Sequence, residues 1–167
     1  LNKHQSQKYI ATLYNEATQV IFKQRALEAT MYGMSVEEVG KKFEDDLADF
    51  SPNNEAKLRH HLATLSKKIS TYELNDPANS DIDNQQVMAS ITQFFAGHHD
   101  FSIGYIDVWM GLSPFIVNQI NGPLIDIPRI MQNDQSITTE QEALHYIARL
   151  GKFEQLISSI GEKLAFD

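Results

Sequence analysis

A chain of 167 residues with 42% apolar and 22% charged side chains can bury a hydrophobic core and is too apolar to be disordered throughout. Its 22 acidic and 14 basic residues give a net charge of −8, which excludes nucleic acid as a main partner and disfavours docking on an anionic membrane. The tight basic pairs Lys41-Lys42 and Lys67-Lys68 lie beside carboxylates in predicted helices and indicate solvated faces. The absence of cysteine excludes disulfides and thiol chemistry. No apolar run is long enough to form a transmembrane segment.

The first part of the chain predicts two helices. Apolar residues at three- and four-residue steps favour a long helix over residues 6–32, followed by Gly33, the residue type that most often follows a helix C-terminus. Ser35 and Glu38 have the spacing of a capping box and predict a second helix over residues 36–48. The apolar face of this second helix would consist of Val36, Val39, Phe43 and Leu47.

Two further helices follow. Ser51-Pro52 is typical of a helix start and predicts a helix over residues 52–74, which Asn75-Asp76-Pro77 would end. Its inward side chains would be Leu58, Leu62, Leu65 and Ile69. The next helix is predicted over residues 81–99, with an apolar face of Val87, Ile91, Phe94 and Phe95.

The rest of the chain combines an irregular connection with a long final helix. Residues 101–135 mix glycine and proline with large apolar side chains, and predict an ordered, buried connection with a short helix over residues 123–132. Weak strand signals occur only at 101–109 and 116–117. A final helix is predicted over 140–165, starting at a capping box and carrying an apolar stripe of Ile147, Leu150, Phe153, Ile157, Ile160 and Leu164. The fold class is therefore all-α: an irregular multi-helix bundle with long N- and C-terminal helices.

Histidines are the first candidates for chemistry. His60 and His61 are adjacent in a predicted helix, where neighbouring side chains diverge by about 100° and cannot easily chelate one ion. His98, His99 and Asp100 at a predicted helix end could supply one or two ligands of a metal site completed elsewhere. The interpretation we favour is that the histidines cap helix-end carbonyls.

The other reactive side chains form no catalytic pattern. The acidic groups Glu37-Glu38, Glu44-Asp45-Asp46 and Glu140–Glu142 fall in first turns or on polar faces, which favours ordinary solvated carboxylates. No motif for a serine nucleophile or for phosphate binding occurs. We therefore predict no catalytic, cofactor-binding or metal-binding residue in this chain. One set of aromatic side chains could line a pocket, although core packing is the default: Phe94, Phe95, Phe101, Tyr105, Trp109 and Phe115.

Three groups of segments carry a further pattern: Arg25–Gly33 with Leu47–Pro52, then Ile120–Pro128, then Thr138–Ala143 with Tyr146–Leu150. In order and spacing they resemble a large bacterial family known as domain of unknown function 885. Ile127 departs from the pattern, since leucine is common there. Members of that family are several hundred residues long, are commonly exported or lipid-anchored, and are thought to be zinc metallopeptidases with an H-E-x-x-H helix.

The resemblance implies a role without chemistry of its own. H-E-x-x-H does not occur in this chain, so no metal-binding or catalytic residue is transferred, and zinc would belong to a C-terminal part outside the sequence. Residues 1–167 would form a single helical region, the N-terminal part of a longer protein, which scaffolds or covers the substrate cleft. Its partner would be the remainder of its own polypeptide. The protein would be periplasmic or anchored to the bacterial envelope by a lipid before residue 1, and a homodimer is a further expectation.

Two alternatives remain. The chain could be an independent helical module of an exported lipoprotein, in which the aromatic segment 94–115 holds a small ligand or a partner helix. It could also be a metalloenzyme that uses His98, His99 and Asp100.

Overall fold

Helices dominate the fold. The computed structural model describes residues 3–72, 82–97, 104–107 and 111–166. These residues form eight helices and one short hairpin: α1 (Lys3–Gln24), α2 (Ala26–Met31), α3 (Val36–Val39), α4 (Pro52–Thr71), α5 (Ile82–Ala96), β1 (Tyr105–Asp107), β2 (Gly111–Ser113), α6 (Pro123–Asn133), α7 (Glu140–Gly151) and α8 (Phe153–Phe166). The all-α prediction is confirmed.

The buried apolar side chains of the described residues form several separate clusters. One cluster joins α2, α6 and α8, with Leu27, Ile127 and Leu156 among its buried members. A second cluster packs α1 against the α4–α5 pair through Leu13 and Leu65, among others. These two clusters fix the segments that carry the charged groups described below.

The predicted helix over 6–32 is two helices, α1 and α2, because the backbone leaves helical geometry at Arg25, with φ −112° and ψ 56°. No glycine or proline marks this break in the sequence. The Arg25 side chain forms an ion pair with Glu28, donates a hydrogen bond to the Ile106 carbonyl and lies over the Phe95 ring. These tertiary contacts account for a break that periodicity could not reveal.

The predicted helix over 36–48 is also too long. The Ser35–Glu38 capping box is present, but α3 ends after one turn because Gly40 adopts a left-handed conformation with φ 75°. Gly40 also approaches the Gln19 side chain so closely that a Cβ atom would lie 2.7 Å from it. Phe43 is still buried, as predicted, whereas Val36 is exposed.

Helices α4 and α5 pack against each other along their lengths. Leu62, Leu65 and Ile69 are buried as predicted, and the predicted ends of the two helices, 74 and 99, lie beyond the observed ends at Thr71 and Ala96. The predicted apolar face of α5 is wrong for Val87, Ile91 and Phe94, which are exposed, whereas Phe95 packs on the core. The fully buried residues of α5 are small or polar and allow close approach to α4: Gln85, Ala89, Thr92 and Ala96. The Gln85 amide donates to the Tyr72 carbonyl at 2.7 Å, and Ser66 Oγ donates to the Ala89 carbonyl at 2.9 Å.

The irregular connection contains the hairpin and α6. Strand β1 pairs antiparallel with β2, with Tyr105 opposite Ser113, and lies within the predicted strand-like run 101–109. The other run, 116–117, forms no strand, although Ile116 is buried in the core. Helix α6 begins at Pro123 as predicted and ends one residue later than predicted.

The predicted final helix over 140–165 is divided into α7 and α8 at Lys152, where φ is −92° and ψ is 0°. At this interruption, Arg149 and Lys152 contact the segment formed by residues 41–51. Arg149 Nε donates to the Asp46 backbone carbonyl at 3.1 Å, and Lys152 Nζ donates to the Asp46 carboxylate at 2.7 Å. The Thr139–Glu142 capping box is present.

The capping box gives a pH-dependent prediction. Glu142 Oε2 accepts hydrogen bonds from the backbone N–H groups of Thr138 and Thr139, both at 2.8 Å, and these bonds lower the pKa of Glu142 from 4.5 to about 2. A lowered folded-state pKa means that the carboxylate stabilises the fold above pH 4.5 and loses that effect as the pH falls towards 2. We expect Glu142→Gln to lower the thermal midpoint at pH 7, and the difference from the parent to disappear near pH 2.

The matched control is Glu140→Gln, which removes a charge from the same helical turn without removing a capping hydrogen bond. Thermal unfolding of both variants from pH 7 to pH 2 checks this prediction. Equal thermal midpoints of the two variants at pH 7 would contradict this prediction. They would show that both carboxylates act only through the helix dipole and not through capping hydrogen bonds.

Candidate functional site

A cavity of about 90 Å³ lies between the α1–α2 junction, α4, the end of α5 and β1. Of the aromatic residues predicted to line a pocket, Phe95 and Tyr105 contact it. Phe94 and Phe115 are exposed instead, and Phe101 and Trp109 lie outside the described residues. The sequence therefore predicted two of the residues that line this cavity.

The charged side chains on the cavity wall form ion pairs, except Asp49, whose carboxylate accepts a hydrogen bond from the Ser51 N–H. Arg25 Nη1 lies 2.8 Å from Glu28 Oε1, and the Arg25 guanidinium lies 5.1 Å from the centre of the Phe95 ring. This arrangement combines an ion pair with a cation–π contact. Arg25 consequently links α2 to the hairpin and to α5.

A second ion-pair group closes the cavity from α8. Glu55 accepts a hydrogen bond from Lys163, whose side chain is almost completely buried, and lies 3.9 Å from Arg59. Arg59 Nε also donates to the Ala96 carbonyl at 3.0 Å. An engineered apolar cavity of about 150 Å³ binds a molecule as small as benzene. At 90 Å³, and with its arginine and lysine side chains already in ion pairs, this cavity gives little support to the interpretation as a small-ligand site.

The histidines that the structure describes are not arranged as a metal site. His60 and His61 lie in the middle of α4, so they do not cap a helix end, and the capping interpretation is wrong for them. His61 Nε2 lies 2.8 Å from Glu16 Oε1. His98, His99 and Asp100 lie outside the described residues. Within the described ranges, no group of three or more His, Asp or Glu side chains could hold a metal ion.

Among the acidic groups, Asp46 differs most from the predicted solvated carboxylate. It is half-buried between Lys41 Nζ at 2.6 Å and Lys152 Nζ at 2.7 Å. Burial raises the pKa of Asp46, but the hydrogen bonds and charges of the two lysines outweigh burial, so the pKa is lowered overall. Asp46 is therefore ionised at neutral pH and unsuited to act as a general acid.

The apolar stripe predicted on the last helix is only partly buried. Phe153 and Ile160 pack on the core, whereas other large side chains of α7 and α8 point outwards. Ile147 is 62% exposed and Ile157 is 55% exposed. We call the exposed set the C-terminal apolar face: Leu144, Ile147, Leu150, Ile157 and Leu164.

Helix α5 has a second exposed apolar row. Val87, Ile91 and Phe94, predicted to face inwards, follow one another at four- and three-residue steps on the outer side of α5. Single exposed apolar residues are ordinary, but rows of them along a helix are typical of surfaces that bind another protein segment. None of the helices in the described ranges is long and apolar enough to cross a membrane.

Comparison with known proteins shows that this chain is similar to part of a longer protein. No family model matches the chain, and no curated protein matches it. The crystal structure of the putative lipoprotein from Colwellia psychrerythraea superposes with a TM-score of 0.91 and is 56% identical over 97% of this chain. The matched region is 28% of that protein's chain. The all-α architecture is thus shared with one segment of a longer polypeptide.

Proposed function

We propose that this chain is a protein-binding helical part of an exported lipoprotein, and that its C-terminal apolar face packs against further polypeptide of the same protein. The exposed row on α7 and α8 is the observation that carries the proposal. Export and lipid anchoring are supported by the description of the Colwellia psychrerythraea protein as a putative lipoprotein. The greater length of that protein supports a partner within the same polypeptide.

The energetic argument concerns the five side chains of the C-terminal apolar face. Burying a large aliphatic side chain contributes roughly 1.5–3 kcal/mol. Five such side chains at helical spacing could therefore anchor a neighbouring segment, with hydrogen bonds needed only at the rim. The face adjoins the core cluster at Phe153 and Ile160, so a docked segment would extend an apolar region that already exists.

The test compares the 167-residue chain with the full-length gene product. We expect Ile147→Gln with Ile157→Gln to change the stability of the 167-residue chain by less than about 0.5 kcal/mol per site, because both side chains are exposed there. In the full-length product the same pair should cost at least about 3 kcal/mol, because both side chains would be buried. Denaturant unfolding followed by circular dichroism measures both values.

Val36→Gln is the matched control, since Val36 is exposed outside both apolar rows. It should have a small effect in both proteins. Equal costs of the Ile147 and Ile157 changes in the two proteins would contradict the proposal, as would a gene product that ends at Asp167.

A narrower proposal is that the longer protein is a zinc metallopeptidase of the domain of unknown function 885 family, with this chain scaffolding or covering its cleft. The sequence resemblance and the length of the Colwellia psychrerythraea protein support it. Sequencing the reading frame beyond Asp167 tests it: an H-E-x-x-H helix is expected, together with stoichiometric zinc in the purified full-length product. A long product without this motif would reject the peptidase while leaving the packing proposal intact.

A further inference from the structure

A second concavity, of about 550 Å³, is lined by lysines from four separate segments of the chain. Lys23 comes from the end of α1, Lys57 from α4, Lys41 from the 41–51 segment, and Lys152 from the α7–α8 junction. We call it the lysine groove. Its volume falls within the range of small-molecule sites, roughly 300–1,000 Å³.

The lysine groove has a positive charge balance in a chain whose net charge is −8. Lys41 and Lys152 share Asp46, so these three groups carry one net positive charge. Lys23 and Lys57 are exposed and form no ion pair within the described ranges, while the other acidic lining residue, Asp49, accepts a hydrogen bond from the Ser51 N–H at 2.8 Å. The four lysines and two aspartates of the lining together have an excess of two positive charges.

The shape of the groove is held by contacts independent of any ligand. Asn54 Nδ2 donates to Gln24 Oε1 and to the Asp49 carbonyl, both at 2.8 Å, and thereby fixes α4 against α1 and the 41–51 segment. Arg149 Nε donates to the Asp46 carbonyl at 3.1 Å, which fixes the segment that carries the shared carboxylate. Lysines that converge in a fixed concavity concentrate a positive potential there.

From this arrangement we infer that the lysine groove binds a small molecule bearing a phosphate group. A phosphate in the groove would receive charge-assisted hydrogen bonds from the lysine ammonium groups that line it, and Lys23 and Lys57 are the two without an ion pair in the described ranges. Leu47, Leu58 and Leu156 also line the groove and would contact an apolar part of the same molecule. This site is separate from the C-terminal apolar face, so either proposal can fail without the other.

Pyrophosphate is the probe, and isothermal titration calorimetry on the 167-residue chain at low ionic strength is the measurement. We expect one pyrophosphate per chain, with an affinity that falls as salt is added. The double variant Lys23→Gln with Lys57→Gln should weaken binding at least tenfold. The matched control is Lys67→Gln with Lys68→Gln, which removes two exposed lysines of α4 that do not line the groove. It should bind as the parent does.

A third variant tests the charge balance in the opposite direction. Asp46→Asn removes the carboxylate that Lys41 and Lys152 share, and should strengthen pyrophosphate binding several-fold. Circular dichroism establishes that each variant is folded. No pyrophosphate binding by the parent chain, or equal weakening in the two double-lysine variants, would overturn the inference.

Discussion

Replacing Gly122 with alanine is expected to lower the free energy of unfolding by about 3 kcal/mol, the upper end of the cost of a residue held in unfavourable backbone geometry. Gly122 has φ 118° and ψ 164°, a conformation that is essentially restricted to glycine. An added Cβ atom would also lie 2.7 Å from the Ile116 carbonyl oxygen. Because Ile116 is buried in the core, its backbone cannot move away without disturbing that packing.

The control for this change is Gly161→Ala. Gly161 lies within α8, and no neighbouring atom lies within 4 Å of the position that an added Cβ atom would occupy, so alanine should stabilise the helix by up to about 1 kcal/mol. Denaturant unfolding of both variants gives the two free energies. A Gly122→Ala protein as stable as the parent would show that the 116–122 connection adapts easily and does not fix the start of α6.

The same glycine shows what the sequence could predict. Gly122-Pro123 marks the start of α6, since proline is tolerated at the first position of a helix, and the structure begins the helix there. Capping residues and apolar periodicity likewise predicted the helical segments of the described ranges, although two of the predicted helices are each divided in the structure, because these signals depend on residues close together in the chain. The resemblance to domain of unknown function 885 included this segment, and remains a prediction.

Interruptions within helices could not be predicted in the same way. Arg25 and Lys152 are good helix formers, and their backbones leave ideal geometry where their side chains contact distant segments. Gly40 differs from them, because glycine often follows the end of a helix, but the spacing of Val36, Val39, Phe43 and Leu47 favoured a longer helix. The inward face of α5 was predicted wrongly because α5 packs closely against α4. The contact between the two helices therefore consists of small or polar side chains and not of the large apolar ones.

The charged sites were missed for a related reason. Asp46 belongs to a run of three acidic residues, which by itself indicates a solvated surface. Its two lysine partners are five residues and more than one hundred residues away. No local signal identifies Lys23 and Lys57 as neighbours of that group. Only the packing of α1, α4 and the α7–α8 junction brings the lysine groove together.

Arg149 gives the second large expected effect: Arg149→Met should lower the free energy of unfolding by about 3 kcal/mol. The Arg149 side chain is 0% exposed and donates to the carbonyl oxygens of Asp46 and Phe43 at 3.1 Å and to Thr30 Oγ1 at 2.6 Å. Methionine removes these donors while retaining most of the volume, and each buried acceptor left unpaired costs roughly 1–3 kcal/mol.

The unfavourable burial of the Arg149 charge, which methionine would relieve, reduces the expected loss of stability without cancelling it. Burial lowers the pKa of Arg149 to about 10, despite the nearby charges of Asp45, Glu44, Asp46 and Glu28, so the folded protein disfavours the guanidinium charge. Since the folded-state pKa lies below the ordinary value for arginine, this unfavourable contribution is fully present at neutral pH and decreases as the pH rises above 10. Methionine removes it. Arg149→Lys retains a buried cation with fewer donors and should be at least as destabilising as Arg149→Met.

Arg129→Met is the matched control, because the Arg129 side chain is 52% exposed and its buried partner Asp126 would keep the hydrogen bond from the Gly122 N–H at 3.1 Å. It should cost no more than about 1 kcal/mol. Urea unfolding of the three variants at pH 7 measures the effects. If Arg149→Met were as stable as the parent, relief from burying a cation would equal the loss of the hydrogen bonds, and the contact of α7 with the 41–51 segment would depend on apolar packing alone.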